Sequence, residues 1–464
     1  MTRAAAAGSP VLRWARGQVP DHPVGRAVAA AAMTGWIGTG VWVSASTLFF
    51  TRLLGLSADQ VGTGLALGGV LGLLAMVPVS LLARRLHAGR VATVLQLVRG
   101  LSFLSFLAVD SATTFYLALA LVSVTDGPGK MFSQIMVGRF IPEEDRSPTM
   151  ASIQVATNVG VTGGALLGAI GLLRVDRLAF DGVVSAVVAA FFLSALLLAR
   201  TTWRMADLGP EPGPSPSVAG TAVAGTAGAG TAKAAGPAKA SRLRQLRANL
   251  LPLRDRRFVL LTAGNGLLSA HIPLITVMTP LWLARRTHVP PAVMGGLLLI
   301  NTLLVVALQV PLSRRVVGID GAVRAGWVAA VALGAGCGLL ALAAFVPTVA
   351  AVASMAAAVV CFTLGEIVQV TSGWTLSFGL APEDRRQAVY LGFFGTGPEA
   401  TAVLGPAVLA WLTTQFGAPG FAVVAVVLLL AAGLVRAGAA TAAAPSTDLS
   451  PAEAAAVPTG PLAG

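Results

Sequence analysis

The chain has 464 residues, of which 55% are hydrophobic and 11% are charged, and its mean hydropathy is +0.80. A soluble domain carries about 25% charged residues, so this composition excludes a soluble globular protein. The two cysteines, Cys337 and Cys361, lie in apolar segments, which indicates core residues rather than a disulfide or a metal site. The sequence therefore predicts an all-α polytopic membrane protein.

Twelve apolar segments are long enough to cross a membrane as helices, since a span needs about 20 mostly apolar residues. Six of them precede a polar, low-complexity region and six follow it. The predicted limits are 27–50, 61–83, 91–109, 113–137, 149–173 and 180–199 in the first half, and 258–283, 292–313, 323–346, 349–377, 388–413 and 418–436 in the second.

The region between the halves is rich in Pro, Gly, Ala and Thr. Such a composition buries too little apolar surface to fold, so we predict a flexible cytoplasmic linker at residues 201–257. Two six-helix bundles then occupy residues 24–200 and 258–436. We expect disordered cytoplasmic tails at residues 1–23 and 437–464.

The net charge of +13 is distributed unevenly along the chain. If both termini are cytoplasmic, 25 of the 32 Lys and Arg residues fall in cytoplasmic segments or at the cytoplasmic ends of spans, and Arg52, Arg174, Arg177, Arg285 and Arg286 fall in outer loops. This asymmetry follows the positive-inside rule and fixes that orientation. The 29 Arg against 3 Lys suggest a GC-rich bacterial source, hence the inner (plasma) membrane. We expect contact with anionic membrane lipid and no binding of nucleic acid.

Ionisable residues inside the spans call for an explanation, because a charge at the centre of a span costs about 2.5–3.5 kcal/mol on insertion scales. Glu366 has no basic residue near it on its own helix, which makes it the best proton-carrier candidate. The candidates are Arg99, Asp126, Lys130, His271, Glu366 and Glu399.

Several of these polar residues have two interpretations. Asp126 and Lys130 are four residues apart on one helix face, so they either pair with each other or face a cavity. For Arg99 we favour a structural role, as the partner of an acid. His271 is either a cavity residue or a satisfied polar residue near Asn265. The same choice, between lining a cavity and cross-linking helices, stays open for Asn301, Gln309 and Gln369. Trp36 lies on a polar face of span 1 that either avoids lipid or anchors at the interface.

The two halves repeat one pattern of charge. Asp126 in span 4 precedes Pro142 by 16 residues, and Glu366 in span 10 precedes Pro382 by the same distance. Each proline opens an acidic turn that ends in arginine. Repeated halves with a site at the midplane between them are typical of secondary transporters.

Three motifs resemble those of the major facilitator superfamily. Residues 78–90 are similar to that family's loop between helices 2 and 3, with Arg84 where the family has a gating Asp. Residues 158–168 resemble the glycine-rich helix 5 of exporters, with Gly164 where Pro is usual. Residues 364–385 look most like the drug/proton antiporter (multidrug efflux) branch.

This resemblance implies the major facilitator fold, in which two pseudo-symmetric six-helix bundles enclose a cavity lined by helices 1, 4, 7 and 10. The proton-coupling residues would be Glu366, Asp126 and Glu399. The substrate cavity would include Trp36, Lys130, Asn265, His271, Asn301 and Gln369. The gating residues would be Arg84, Arg85, Arg90, Arg146 and Arg385.

The function that the resemblance implies is proton-coupled export of small amphipathic compounds by alternating access, by a monomer without a cofactor and with the proton gradient as its energy source. The alternative within transport is a proton-coupled nutrient uptake symporter, for which we expect more aromatic and amide groups in spans 1, 4, 7 and 10. A membrane enzyme is disfavoured because the sequence has no HExxH or aspartate-rich diphosphate motif. A non-transporting sensor stays open.

Overall fold

The computed structural model describes residue 14 and residues 16–85, 88–171, 176–206, 251–382 and 387–440, and this part of the chain forms twelve long helices. The first half contains α1 (Pro23–Arg52), α2 (Ala58–Arg85), α3 (Ala88–Phe103), α4 (Ala112–Phe140), α5 (Glu143–Gly171) and α6 (Arg177–Ala206). The second half contains α7 (Arg256–Arg286), α8 (Val293–Ser313), α9 (Gly318–Leu342), α10 (Thr348–Leu380), α11 (Gln387–Phe416) and α12 (Pro419–Ala440).

Ten of the described helices are long and apolar enough to cross a membrane by themselves. The other two, α4 and α11, have 29 and 30 residues, which is ample length for a span. Their apolar runs are interrupted by Asp126 and Pro128 in α4, and by Pro398 and Glu399 in α11. Two of these residues, Asp126 and Glu399, are also ones that the sequence nominated as functional.

Helix packing repeats after six helices, which confirms the predicted pair of pseudo-symmetric bundles. In the first half α1 packs on α5 and α6, α2 on α4, and α3 on α6; in the second, α7 packs on α11 and α12, α8 on α10, and α9 on α12. The halves meet through α2 against α11 and through α5 against α8. These two contacts are equivalent under the six-helix repeat, because α2 corresponds to α8 and α5 to α11.

The contact of α1 with α5 depends on glycine. Gly160 and Gly164 lie on the face of α5 that meets α1, and a Cβ at either position would overlap a backbone carbonyl oxygen, that of Met33 or that of Ile37. Small residues allow two membrane helices to approach this closely. The glycine-rich stretch of α5 thus allows α1 to pack closely against it.

Several helices extend beyond the predicted apolar segments. α5 begins at Glu143 rather than 149, and α6 continues to Ala206, into the predicted linker. α12 continues to Ala440, into the predicted tail. Hydropathy marks the part of a helix that fits the hydrocarbon layer, whereas backbone hydrogen bonding continues into the polar interface. The rest of the predicted linker up to residue 250, and the C-terminal tail from residue 441, lie outside the described residues.

The seventh helix is not continuous. Its first segment, Arg256–Leu268, is followed by a short turn, by His271–Pro273 and by a π-helical segment, Leu274–Met278. The last segment is Thr279–Arg286. Pro273 cannot donate a backbone hydrogen bond, which accounts for the irregular ladder at this point. The break places polar groups of α7 at the centre of the bundle.

Candidate functional site

A cavity of about 590 Å³ lies between the two halves. Residues of each helix from α1 to α7, and of α10 and α11, line it. Six residues that the sequence nominated line it, namely Trp36, Asn265, His271, Glu366, Gln369 and Glu399. Residues from both halves therefore share one central chamber, as a transporter site between repeated bundles requires.

Glu366 lies near the middle of α10, where its carboxylate accepts a hydrogen bond of 3.1 Å from the Nδ2 atom of Asn301 in α8. The same amide nitrogen donates to the hydroxyl of Thr363, 3.0 Å away. Asn301 is not among the cavity-lining residues, so it supports Glu366 from outside the chamber wall. Of the two interpretations of Asn301, the geometry favours cross-linking of helices.

Gln369 follows Glu366 by almost one turn and connects α10 to the broken α7. Its Nε2 atom donates to Oδ1 of Asn265 over 2.8 Å and to the hydroxyl of Ser269 over 3.3 Å. Gly373 makes room for this contact, because a Cβ there would lie 2.6 Å from Oδ1 of Asn265. Gln369 and Asn265 both line the cavity and cross-link helices, so these two interpretations are compatible.

His271 lies at the break of α7, where it is buried and lines the cavity. Its Nδ1 atom is 3.4 Å from the backbone carbonyl oxygen of Leu268. That carbonyl belongs to the end of the first α7 segment, where helical hydrogen bonding stops. The histidine ring thus provides a hydrogen-bond partner for this carbonyl group at the break, and it also faces the chamber.

The first half contains an ion pair between α3 and α4. Asp126 accepts a hydrogen bond from Nη2 of Arg99 in α3, and the two form a salt bridge. The Arg99 guanidinium also stacks on Phe191 of α6, 4.4 Å from the ring centroid. Arg99 has the acidic partner that the sequence favoured, but it lines the cavity as well, whereas Asp126 is not among the lining residues. The side chain of Lys130 lies outside the described residues.

Sequence reasoning missed four amide side chains in the cavity wall, namely Gln96, Gln134, Gln154 and Asn158. Gln154 and Asn158 are four residues apart on α5, a spacing that places both on one helix face. That spacing is the signal that could have identified them. Gln96 and Gln134 are isolated polar residues in apolar helices, and nothing in their local sequence indicates which way they face.

One end of the cavity is bridged by contacts between the halves, where α4 turns into α5 and where α10 ends. Gln134 donates to the hydroxyl of Ser377 over 2.6 Å, and the hydroxyls of Ser147 and Thr375 are 2.9 Å apart. The guanidinium of Arg146 lies 5.9 Å from the ring centroid of Phe378.

Of the other four nominated gating residues, the structure describes the side chain of one. Arg90 is exposed at the start of α3. The side chains of Arg84 and Arg85, and the whole of Arg385, lie outside the described residues. Of the five nominated gating residues, Arg146 is thus the one that the structure places against the opposite half.

The model of the Major Facilitator Superfamily matches residues 27–397 of this sequence. The chain belongs to the major facilitator superfamily. Its twelve-helix fold, its repeated helix contacts and its central chamber are those of a multi-pass membrane transporter. No curated protein matches the sequence.

Solved structures of other superfamily transporters resemble this one. The bacterial homologue of the iron transporter ferroportin, in its outward-facing state, has 15% identity and a TM-score of 0.68, over 90% of this chain and 100% of that chain. The human organic anion transporter MFSD10 (TETRAN) has 16% identity and a TM-score of 0.64, over 89% and 98%. The proton:xylose symporter XylE has 13% identity and a TM-score of 0.62, over 89% and 94%. Identities this low show a common fold alone.

Proposed function

We propose that this superfamily member exports small amphipathic compounds in exchange for protons, by alternating access. The observation that carries the proposal is the position of Glu366, a carboxylate in the wall of the central chamber that is hydrogen-bonded to a neutral amide. An ionisable group inside a membrane span is a functional candidate by default, because its burial is costly. Glu366 is thus the proposed proton carrier, with Asp126 and Glu399 in supporting roles.

The chamber wall also suits an amphipathic substrate. Apolar and aromatic side chains of α1, α4 and α10 form much of its wall, among them Val28, Met131, Phe132, Val370 and Trp374. The amide and hydroxyl groups between them supply hydrogen bonds. Binding sites for small molecules commonly combine an apolar wall with a few placed polar groups.

A second candidate function is proton-coupled uptake of a small nutrient. It is favoured by the amide side chains of the wall, since six of them, from both halves, line the chamber: Gln96, Gln134, Gln154, Asn158, Asn265 and Gln369. A polar solute such as a sugar is bound through groups of this kind. Export remains the first proposal because apolar side chains separate these amides around the wall.

Alternating access requires that the bridged end of the chamber opens. We propose that the contacts of Ser147 with Thr375 and of Gln134 with Ser377 separate when the halves rock against each other. We further propose that this end is cytoplasmic, that both termini share that side of a bacterial inner membrane, and that the protein works as a monomer without a cofactor.

Transport direction is the decisive test. Inverted and right-side-out membrane vesicles are prepared from cells with and without the protein. A proton gradient is then imposed on each, with acid inside the inverted vesicles and acid outside the right-side-out vesicles. A panel of anionic, neutral and cationic fluorescent amphipathic compounds is then added. Export by exchange predicts uncoupler-sensitive accumulation in inverted vesicles, which are acidified inside. Accumulation confined to right-side-out vesicles with acid outside would support the symporter instead.

A further inference from the structure

Arg99 has far more hydrogen-bonding capacity than its ion pair uses. A guanidinium has five N–H donors, and within the described part of the chain its single hydrogen-bond acceptor is Asp126, which Nη2 reaches. Nε is buried and has no partner in that same part of the chain. The whole residue is 7% exposed, yet it lines the chamber. Unsatisfied buried donors cost about 1–3 kcal/mol each, so an acceptor that enters the chamber would be bound favourably.

The guanidinium is also held in one orientation. One of its faces stacks on Phe191, and one edge is fixed by Asp126. A cation that is held by its surroundings loses little entropy when it binds a ligand. The features that make Arg99 look structural therefore also prepare it for binding.

Gln96 precedes Arg99 by almost one turn of α3, and its amide is fixed too. Nε2 of Gln96 donates to the hydroxyl of Ser194 over 2.8 Å, and that hydroxyl donates to the carbonyl of Ala31 over 2.8 Å. The amide oxygen is thereby directed toward α4. It faces the position of Gly129, another residue of the chamber wall.

Gly129 leaves a space in front of both groups. A Cβ at this position would lie 3.8 Å from Oε1 of Gln96 and 3.9 Å from Nη1 of Arg99. These are ordinary van der Waals distances, so a small group would fit in this space without a steric clash. A small ligand group placed there would border the guanidinium on one side and the amide oxygen on the other.

We infer that Arg99, Gln96 and Gly129 form an oxyanion subsite in the wall of the chamber, and that the transported compound is an amphipathic organic anion, such as a carboxylate with an apolar body. The guanidinium binds the carboxylate, and the amide oxygen accepts from a hydroxyl or N–H group beside it. The apolar body lies against the aliphatic and aromatic wall. This inference rests on the proposed transport function, but it does not depend on the direction of transport.

Binding is tested on the purified full-length protein in lipid nanodiscs, with empty nanodiscs subtracted. The probes are 2-naphthoate, 3-hydroxy-2-naphthoate and octanoate, each beside its own uncharged carboxamide, and equilibrium dialysis measures the affinity. The wild type should bind at least one acid roughly tenfold or more tightly than its amide. A charge-assisted hydrogen bond usually contributes a difference in affinity of that size.

Two variants separate binding from folding. Arg99→Gln combined with Asp126→Asn removes both charges of this ion pair together, so neither remains without the other, and the preference for the acid should disappear. Gly129→Ala keeps both charges and fills the space, and it should weaken binding of the acid roughly tenfold. Gly163→Ala is the matched control, because a Cβ there meets nothing within 4 Å, and it should leave the affinities unchanged.

Equal affinity of the wild type for all three acids and their amides would overturn the subsite, as would an undiminished preference in the double variant. Failure of the proposed export function gives a different result. If the vesicle experiment shows uptake rather than export while the charge preference and its loss persist, the subsite stands and the direction is corrected.

Discussion

Asn301 in α8 donates a hydrogen bond of 3.1 Å to the carboxylate of Glu366 in α10. The donor comes from outside the chamber wall, while Glu366 itself is part of that wall. Within the described residues Glu366 forms no salt bridge. A carboxyl group held by a neutral donor can gain or lose a proton without breaking an ion pair, which suits the role of proton carrier proposed for Glu366.

The first prediction concerns Glu366→Gln. Glutamine has the same size and its Oε1 atom still accepts from Asn301, so the variant should fold normally and bind its substrate. It cannot release a proton, so gradient-driven accumulation in vesicles should fall to background. Substrate exchange without a gradient should persist. Gradient-driven transport at the wild-type level would remove Glu366 from the coupling mechanism, and joint loss of exchange and expression would indicate a structural role.

The second prediction concerns the Arg99–Asp126 pair. The side chain of Arg99 is 9% exposed and that of Asp126 is 30% exposed. Asp126→Ala leaves the more buried charge alone and should lower the free energy of unfolding by roughly 3 kcal/mol. Arg99→Met should cost less, because the remaining carboxylate reaches solvent more easily. The double variant should lose less than the sum, as measured by denaturation in mixed micelles; additive losses would show that the two groups do not interact.

The third prediction tests whether the bridged end of the chamber opens. The hydroxyls of Ser147 and Thr375 are 2.9 Å apart across the two halves. With Cys337 and Cys361 replaced by alanine, Ser147→Cys and Thr375→Cys should cross-link under oxidation and abolish transport, and a reductant should restore it. Each single cysteine variant is the control. Full transport by protein whose cross-link is demonstrated by peptide mapping would mean that this end stays joined through the cycle.

The fourth prediction compares two adjacent glycines of α5. A Cβ at Gly164 would overlap the carbonyl oxygen of Ile37 in α1, whereas a Cβ at Gly163 meets nothing within 4 Å. Gly164→Ala should therefore force α1 and α5 apart and reduce expression and thermal stability in detergent. Gly163→Ala should match or slightly exceed the wild type, because alanine favours the helix. Equal behaviour of the two variants would contradict the close contact.

The sequence by itself determined the class of fold. Apolar segments of sufficient length, a basic central region and a repeated spacing from acid to proline predicted twelve helices in two equivalent halves, and the structure confirms that architecture. These features are local or periodic, so they can be counted along the chain. The sequence also placed Trp36, Asn265, His271, Glu366, Gln369 and Glu399 among the candidate site residues, and all of them line the chamber.

Tertiary structure alone decided which polar groups meet. The described ion pair of Asp126 is with Arg99, on another helix and 27 positions earlier in the chain. The bond between Asn301 and Glu366 likewise joins residues 65 positions apart. Helical periodicity fixes which residues of one helix share a face, but the rotation of each helix about its axis follows from how all twelve pack. That packing rests on contacts such as Gly164 against Ile37, and it decides whether an isolated Gln96 or Arg99 faces the chamber or the lipid.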